Sequence, residues 1–351
     1  DRAGRRMPFL IVSTLVCVAF TLLLARFGLW LTAIFFIIAN VAYQAGLQFY
    51  DALLPEVSTP ANRGLIGGVG VGVGYFGSFL AVGLGFMLGS EDKPQLFFWI
   101  ALLFLLFALP CFFLVKERPR PRAGGVWSWS AMRASTRETL RTLRSVDEYP
   151  GLLRFLIGRV FYTDAINTVI MVMSLYTVNV AIATGLDEQA GERAAQLVLV
   201  FAIGFAVLGG FFWGFVTDRS GPKRTLERVL WVWMVSFVFA AAVGIFSLPL
   251  LYLYPAAAVA GFAIGGVWAS DRPYMLQLTP PDRIGEFYGL YGMVGRFSAI
   301  TGPVIWALIF WFMVQVLGMA PHVGQGFGIV CLVMQMFIAW LIVRKIRSGE
   351  D

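Results

Sequence analysis

The chain has 351 residues, of which 59% are hydrophobic and 13% charged, with 32 Phe, 11 Trp and a mean hydropathy of +0.78. Such a composition excludes a soluble globular domain and makes this an integral membrane protein. Its net charge of +7 is spread over loops and gives no nucleic-acid reading, and the three cysteines, Cys17, Cys111 and Cys331, lie in apolar runs without disulfide or metal spacing.

A helix crossing the hydrocarbon core needs about 20 apolar residues, because only a helix or a closed barrel satisfies every backbone group in lipid. Ten segments qualify: 8–25, 29–54, 65–88, 96–115, 152–183, 194–217, 229–246, 250–278, 286–317 and 324–343. None shows the period-two alternation of a barrel strand, so all ten are predicted as helices. The third opens on "GGVGVGVGYFG" (67–77), which suggests a phosphate loop but follows no strand. Gly68/Gly72 and Gly70/Gly74, spaced four apart, instead suit close helix packing, as do Gly289, Gly292 and Gly295 in the ninth segment. The longest loop, 116–150, carries Arg133, Arg137, Arg141 and Arg144 at helical spacing, with Trp129, Met132, Leu140 and Leu143 for another face. That pattern predicts an amphipathic helix along the cytoplasmic membrane surface.

Orientation follows from the basic residues. With the termini and even-numbered connections on one side, 21 of the 27 Lys and Arg collect there, against Arg26, Lys93 and Arg193 opposite and Arg154, Arg159 and Arg296 within spans. Both termini are therefore expected in the cytoplasm.

The chain also repeats. "DRAGRR" from Asp1 and "DRSGPKR" from Asp218 lie 217 positions apart, each leading into a span, a four-residue outer hairpin ("ARFG" at 25–28, "FSLP" at 246–249) and a second span. "TPANRG" from Thr59 and "TPPDRIG" from Thr279 are 220 apart, and the same offset carries Asp51 onto Asp271. Two copies in one orientation indicate a transporter of parallel halves. Two helices precede the turn in the second copy, so two are expected ahead of residue 1, making the segments present helices three to twelve. The expected organisation is an N-terminal half over 1–115, a cytoplasmic linker over 116–150 and a C-terminal half over 151–351.

The turn Gly-x-x-x-Asp-Arg-x-Gly-x-Arg/Lys, complete from Gly214 to Arg224 and echoed at Asp1 to Arg6, resembles the signature of the major facilitator superfamily. "FYDALLPEV" (49–57), "FLIGRVFYTDAINTVI" (155–170) and "GEFYGLYGMVGRFSAITGP" (285–303) are similar to its branch of vacuolar amino-acid effluxers of autophagy. The resemblance implies an all-α, two-half helix bundle, with ten of twelve transmembrane helices present, that moves amino acids outward or out of a storage compartment. It also implies that the turns latch the cytoplasmic side, which assigns gating to Asp1, Arg2, Gly4, Arg5 and Arg6 and to Asp218, Arg219, Gly221, Lys223 and Arg224.

Ionisable side chains inside a bilayer are costly and mark function by default. The fifth segment holds Arg159 and Asp164, about 140° apart around a helix and so not expected to pair with each other. Asp164 shares a face with Asn167, Thr168 and Met171, and Arg159 with Phe155, Tyr162 and Thr163. Arg296, with Tyr288 two turns before it, can hold a carboxylate or phosphate or balance Asp164. Asp164, Arg159, Asn167, Thr168, Tyr162, Arg296 and Tyr288 are the candidate substrate- or proton-binding set. With His322 the only histidine, and in an outer loop, Asp164 is the deepest acid available to carry a coupling proton, Asp51 and Asp271 standing closer to the cytoplasm.

The reading is a monomeric secondary transporter for a small polar solute, working by alternating access without metal or cofactor. A membrane transferase on lipid-linked substrates would need clustered acids for a metal and diphosphate. The adjacent acids Glu91/Asp92, Asp147/Glu148 and Asp187/Glu188 fall in loops, so no enzyme is expected. A transporter-like receptor without turnover stays open. Compact loops and the lack of an Asn-x-Ser/Thr sequon point to a bacterial inner membrane, the alternative being a vacuolar one.

Overall fold

Each of the ten apolar segments forms a helix, because a chain in lipid leaves no other local partner for its backbone. The computed structural model describes residues 5–88, 93–118, 149–280 and 283–346. The long helices among the described residues are α1 (Met7–Leu22), α2 (Leu29–Asp51), α3 (Arg63–Leu88), α4 (Lys93–Leu114), α5 (Pro150–Ala183), α6 (Glu188–Ser220), α7 (Pro222–Ile245), α8 (Leu253–Leu278), α9 (Ile284–Trp311) and α10 (Pro321–Arg344). Nine helices among the described residues are long and apolar enough to cross a membrane. The exception is α1, whose 16 residues span about 24 Å and fall short of the predicted 8–25 because the chain turns at Leu23. Asp1, Arg2, Gly4 and nearly all of the expected amphipathic helix lie outside the described residues.

The chain divides into two compact units. One comprises Asp1–Pro60, Gly77–Arg144 and Thr279–Leu290; in it α1 packs on α2 and α4. The other comprises Ala61–Phe76, Ser145–Leu278 and Tyr291–Asp351, and holds α5 to α8, α10, most of α9 and the first half of α3.

Small residues set the packing of the second unit. α6 meets α8 where a side chain on Gly209 or Gly265 would collide with the facing backbone. The first half of α3 meets α6 in the same way, through Gly68 against Gly210 and Gly214. In lipid the apolar effect does not drive helices together, and close backbone approach and hydrogen bonds between helices take its place. Two such bonds hold α7: Tyr176 Oη of α5 donates to Ala240 O at 2.5 Å, and Ser236 Oγ donates to Ala256 O of α8 at 2.9 Å.

The sharp connections show how the repeat is built. Gly221, at φ 80°, ends α6 in a conformation that suits only glycine, and Pro222 opens α7 where no N–H is needed. The two hairpins recognised from the repeat each contain a residue in the left-handed region, Ala25 at φ 58° and Ser247 at φ 49°. A non-glycine residue rarely adopts that conformation; the two stand at different places, Ala25 first in its hairpin and Ser247 second.

Candidate functional site

Arg159 lies in the first third of α5, and Asp271 lies in α8 among small and aromatic residues. Both are buried, at 5% and 0% exposure, and they form an ion pair through Nη1 and Oδ2. Taking two charges out of water is tolerable only when the remaining lone pairs are satisfied. Here Tyr162 Oη donates to Asp271 Oδ1 at 2.7 Å and Tyr291 Oη to Oδ2 at 2.9 Å. The guanidinium also lies 3.4 Å from the centroid of the Tyr291 ring and 5.9 Å from that of Trp268. Such stacking favours arginine over lysine. Trp268 in turn donates its indole N–H to Tyr75 Oη at 3.2 Å.

Asp164, one and a half turns further along α5, is 3% exposed and sits among neutral donors. Its Oδ1 accepts the Gly302 N–H at 2.7 Å, its Oδ2 accepts the Gln335 amide at 3.1 Å, and Thr301 donates to it as well. Pro303 follows Gly302 directly, and a proline inside a helix disturbs the backbone ladder of the preceding turn. A carboxylate at that point receives an N–H that the helix holds less firmly. Gly302 is required there, since a Cβ would lie 2.8 Å from Asp164 Cγ and collide with Thr168.

The other candidates separate. Thr168 is buried, with its hydroxyl donated to Asp164 O at 2.7 Å, Asn167 is half-buried and Arg296 is exposed. Tyr288 is buried within the segment belonging to the first unit. Both Asp164 oxygens are engaged by α9 and α10, and Arg159 is engaged by Asp271, an acid that sequence spacing had set nearer the cytoplasm. Gly302, Thr301, Gln335, Tyr291 and Trp268 were not singled out as site residues from sequence. The acid at 271 was visible as the echo of Asp51, but a partner 112 positions away was not.

At the turn, Asp218 accepts the N–H groups of Gly64 and Leu65 at 2.7 and 2.8 Å, capping the start of α3 at the positive end of its helix dipole. A side chain on Gly64 would lie 2.6 Å from Thr217, so the approach requires glycine. Arg219 lies over the Phe215 ring at 4.3 Å, Lys223 donates to Ile346 O at 2.5 Å, and Arg224 is exposed. In the first copy, Arg5 is exposed, while the Arg6 and Met7 N–H groups donate to Glu117 at 2.6 and 3.0 Å and the Arg6 side chain donates to Ala52 O at 2.6 Å. A carboxylate thus caps a helix start beside both turns.

This arrangement of helices is the major facilitator fold, and its class is that of a multi-pass membrane transporter. The structure is similar to that of the human organic anion transporter MFSD10, with a TM-score of 0.74 at 15% identity, covering 96% of this chain and 77% of that one. Residues 60–311 match the family described as "Vacuole effluxer Atg22 like", and the chain belongs to that family. It is 24% identical over 296 residues to the MFS-type transporter YxiO of Bacillus subtilis, covering 79% of this chain and 64% of that protein. With autophagy-related protein 22-1 of Aspergillus niger it shares 25% identity over 264 residues, or 68% of this chain and 41% of that one. The chain therefore spans about two thirds and two fifths of these relatives' lengths.

Proposed function

We propose that the protein is a secondary transporter that moves a small polar solute, amino acids foremost, by alternating access between a C-terminal half over 151–351 and an N-terminal half over 1–115. The observation that carries this reading is the pair of buried acids, Asp164 and Asp271, on α5 and α8, helices of membrane-spanning length. Acids within membrane spans are rare, face the protein interior and mark substrate or ion pathways. Arg159 and Asp271 offer charges of both signs within a frame of tyrosines, as a zwitterion with a carboxylate and an ammonium requires. Asp164, held by neutral donors, is suited to gain and lose a proton without stranding a cation. Protons are the proposed coupling ion, and Asp218 with its turn gates the cytoplasmic side. The proposed setting is a bacterial inner membrane, with a monomeric protein and both termini in the cytoplasm.

The test uses purified protein in liposomes loaded with pooled amino acids. Counterflow of a labelled amino acid is expected, together with its accumulation under an imposed proton gradient. Asp164→Asn should keep counterflow and lose accumulation. Bound ligand that never exchanges would make the protein a receptor, and an Asp164→Asn protein that still concentrates solute would sink the coupling role.

A further inference from the structure

Four buried polar atoms lie along α9 and α10 between Asp164 and the start of α10, and none has a hydrogen-bond partner among the described residues: Trp306 Nε1, Gln325 Oε1, Gln325 Nε2 and Gln335 Oε1. Gln325 is 0% exposed, Trp306 7% and Gln335 8%. A glutamine with neither end of its amide bonded is exceptional in a folded interior, where polar groups find protein or water.

The contacts place these atoms in order. Gln335 reaches Asp164 through its Nε2, leaving its oxygen over. On α9, Gly302 touches Asp164 and Trp306 stands one turn beyond it, on the same face. On α10, Gly328 meets that tryptophan, since a Cβ there would lie 2.5 Å from the indole Nε1. Gln335 and Gly328 are seven residues apart, about 10 Å along one face of α10. Gln325 follows one turn after Gly328 and His322 one turn later, where the half-exposed ring meets Ser247 Oγ at 2.9 Å. The series runs from Asp164 to the end of the unit where α10 begins.

The ionisable side chains on these stretches are few. α9 has none from Phe297 to Trp311, α10 has Cys331 between Gln335 and His322, and α5 beyond Asp164 has Tyr176, which donates to Ala240 O. Arg159, on the near side of Asp164, is held by Asp271. The series is therefore neutral, and it offers water both donors, Trp306 Nε1 and Gln325 Nε2, and acceptors, Gln325 Oε1 and Gln335 Oε1.

We propose that a file of bound water joins Asp164 to the His322 end of the helices, past Trp306 and Gln325, and delivers protons to Asp164 by a route separate from that of the solute. The role as a proton route rests on the coupling function proposed for Asp164; the presence of water rests on the orphaned atoms alone. On the proposed orientation the file opens at the outer face. It explains why Gln325 is not a leucine in an otherwise apolar part of α10.

Two measurements on the full chain in liposomes test it. Hydroxyl-radical footprinting should modify Trp306 far faster than its burial allows, because bound water generates the radical in place, and Gln325→Leu should lower that rate. Gln325→Leu, close in volume and without the orphaned amide, should also slow proton-driven accumulation several-fold while leaving counterflow unchanged. Trp306→Phe, which keeps an aromatic ring and removes the N–H, should slow it in the same selective way. A silent Trp306, or Gln325→Leu and Trp306→Phe proteins that accumulate solute at the original rate, would overturn the route. If Asp164→Asn still concentrates solute while Trp306 is modified rapidly, the coupling function fails and the proton role fails with it, a result distinct from a dry interior.

Discussion

Arg159 and Asp271 pose the sharpest question at the scale of single residues, since a buried pair can be replaced more easily than it can be broken. Removing one charge leaves the other buried without a counter-charge and typically costs about 3–5 kcal/mol. Asp271→Asn is therefore expected to lower the unfolding temperature in detergent markedly. Arg159→Met combined with Asp271→Leu should recover most of that loss, because no charge is stranded, yet should not restore amino-acid counterflow. A double variant that transports normally would reduce the pair to a structural tie. Sequence reading found Arg159, Tyr162 and Asp164 because charged and polar residues stand out in an apolar helix. It did not find Gln335 or Gly302 as partners of Asp164, because a glutamine and a glycine in membrane helices have no pattern of their own. Their role depends on which of two faces turns toward α5, and one chain's local periodicity does not contain that information.

Among elements, the start of α3 is the one whose position depends on a few contacts. Two N–H groups end on one carboxylate, and losing such a cap typically costs about 0.5–2 kcal/mol. Asp218→Ala should therefore loosen the first turn of α3 from α6 without unfolding either helix. Thr217 is 2% exposed behind that turn, so it can report the change. In a background with Cys17, Cys111 and Cys331 replaced, Thr217→Cys should react slowly with a water-soluble maleimide and faster once Asp218→Ala is added. An unchanged rate would show that glycine packing alone holds α3. The turn was legible from its residue types, as was the existence of every helix, since both rest on local chemistry. The limits of α1 were not, because an apolar run continues past the point where the chain has already turned. The linker after α4 was read as an amphipathic helix, but most of it lies outside the described residues.

For the molecule as a whole, repeat and charge asymmetry together make an orientation prediction. The repeat was read from offsets of 217 and 220, which pair the hairpins at 25–28 and 246–249. Parallel repeats and alternation of spans lead to the expectation that the connections at 25–28, 246–249 and 317–320 lie on the same side of the membrane. Basic residues are rare there, with Arg26 the only one in the three connections, whereas Arg219, Lys223, Arg224, Arg228, Lys345 and Arg344 cluster around the opposite ends of α6, α7 and α10. Retention of Lys and Arg in the cytoplasm during insertion is expected to put that cluster inside and the hairpins outside. Single cysteines at Phe27 and Leu317, both about half exposed, should react with a membrane-impermeant reagent in intact cells. Cysteines at Arg224 and Arg283 should react only after permeabilisation. The reverse pattern would place both termini outside and open the proposed water file on the cytoplasmic face. A proton would then enter from the side with the lower driving potential, so orientation decides whether the route beside Trp306 can energise uptake or serves to discharge Asp164.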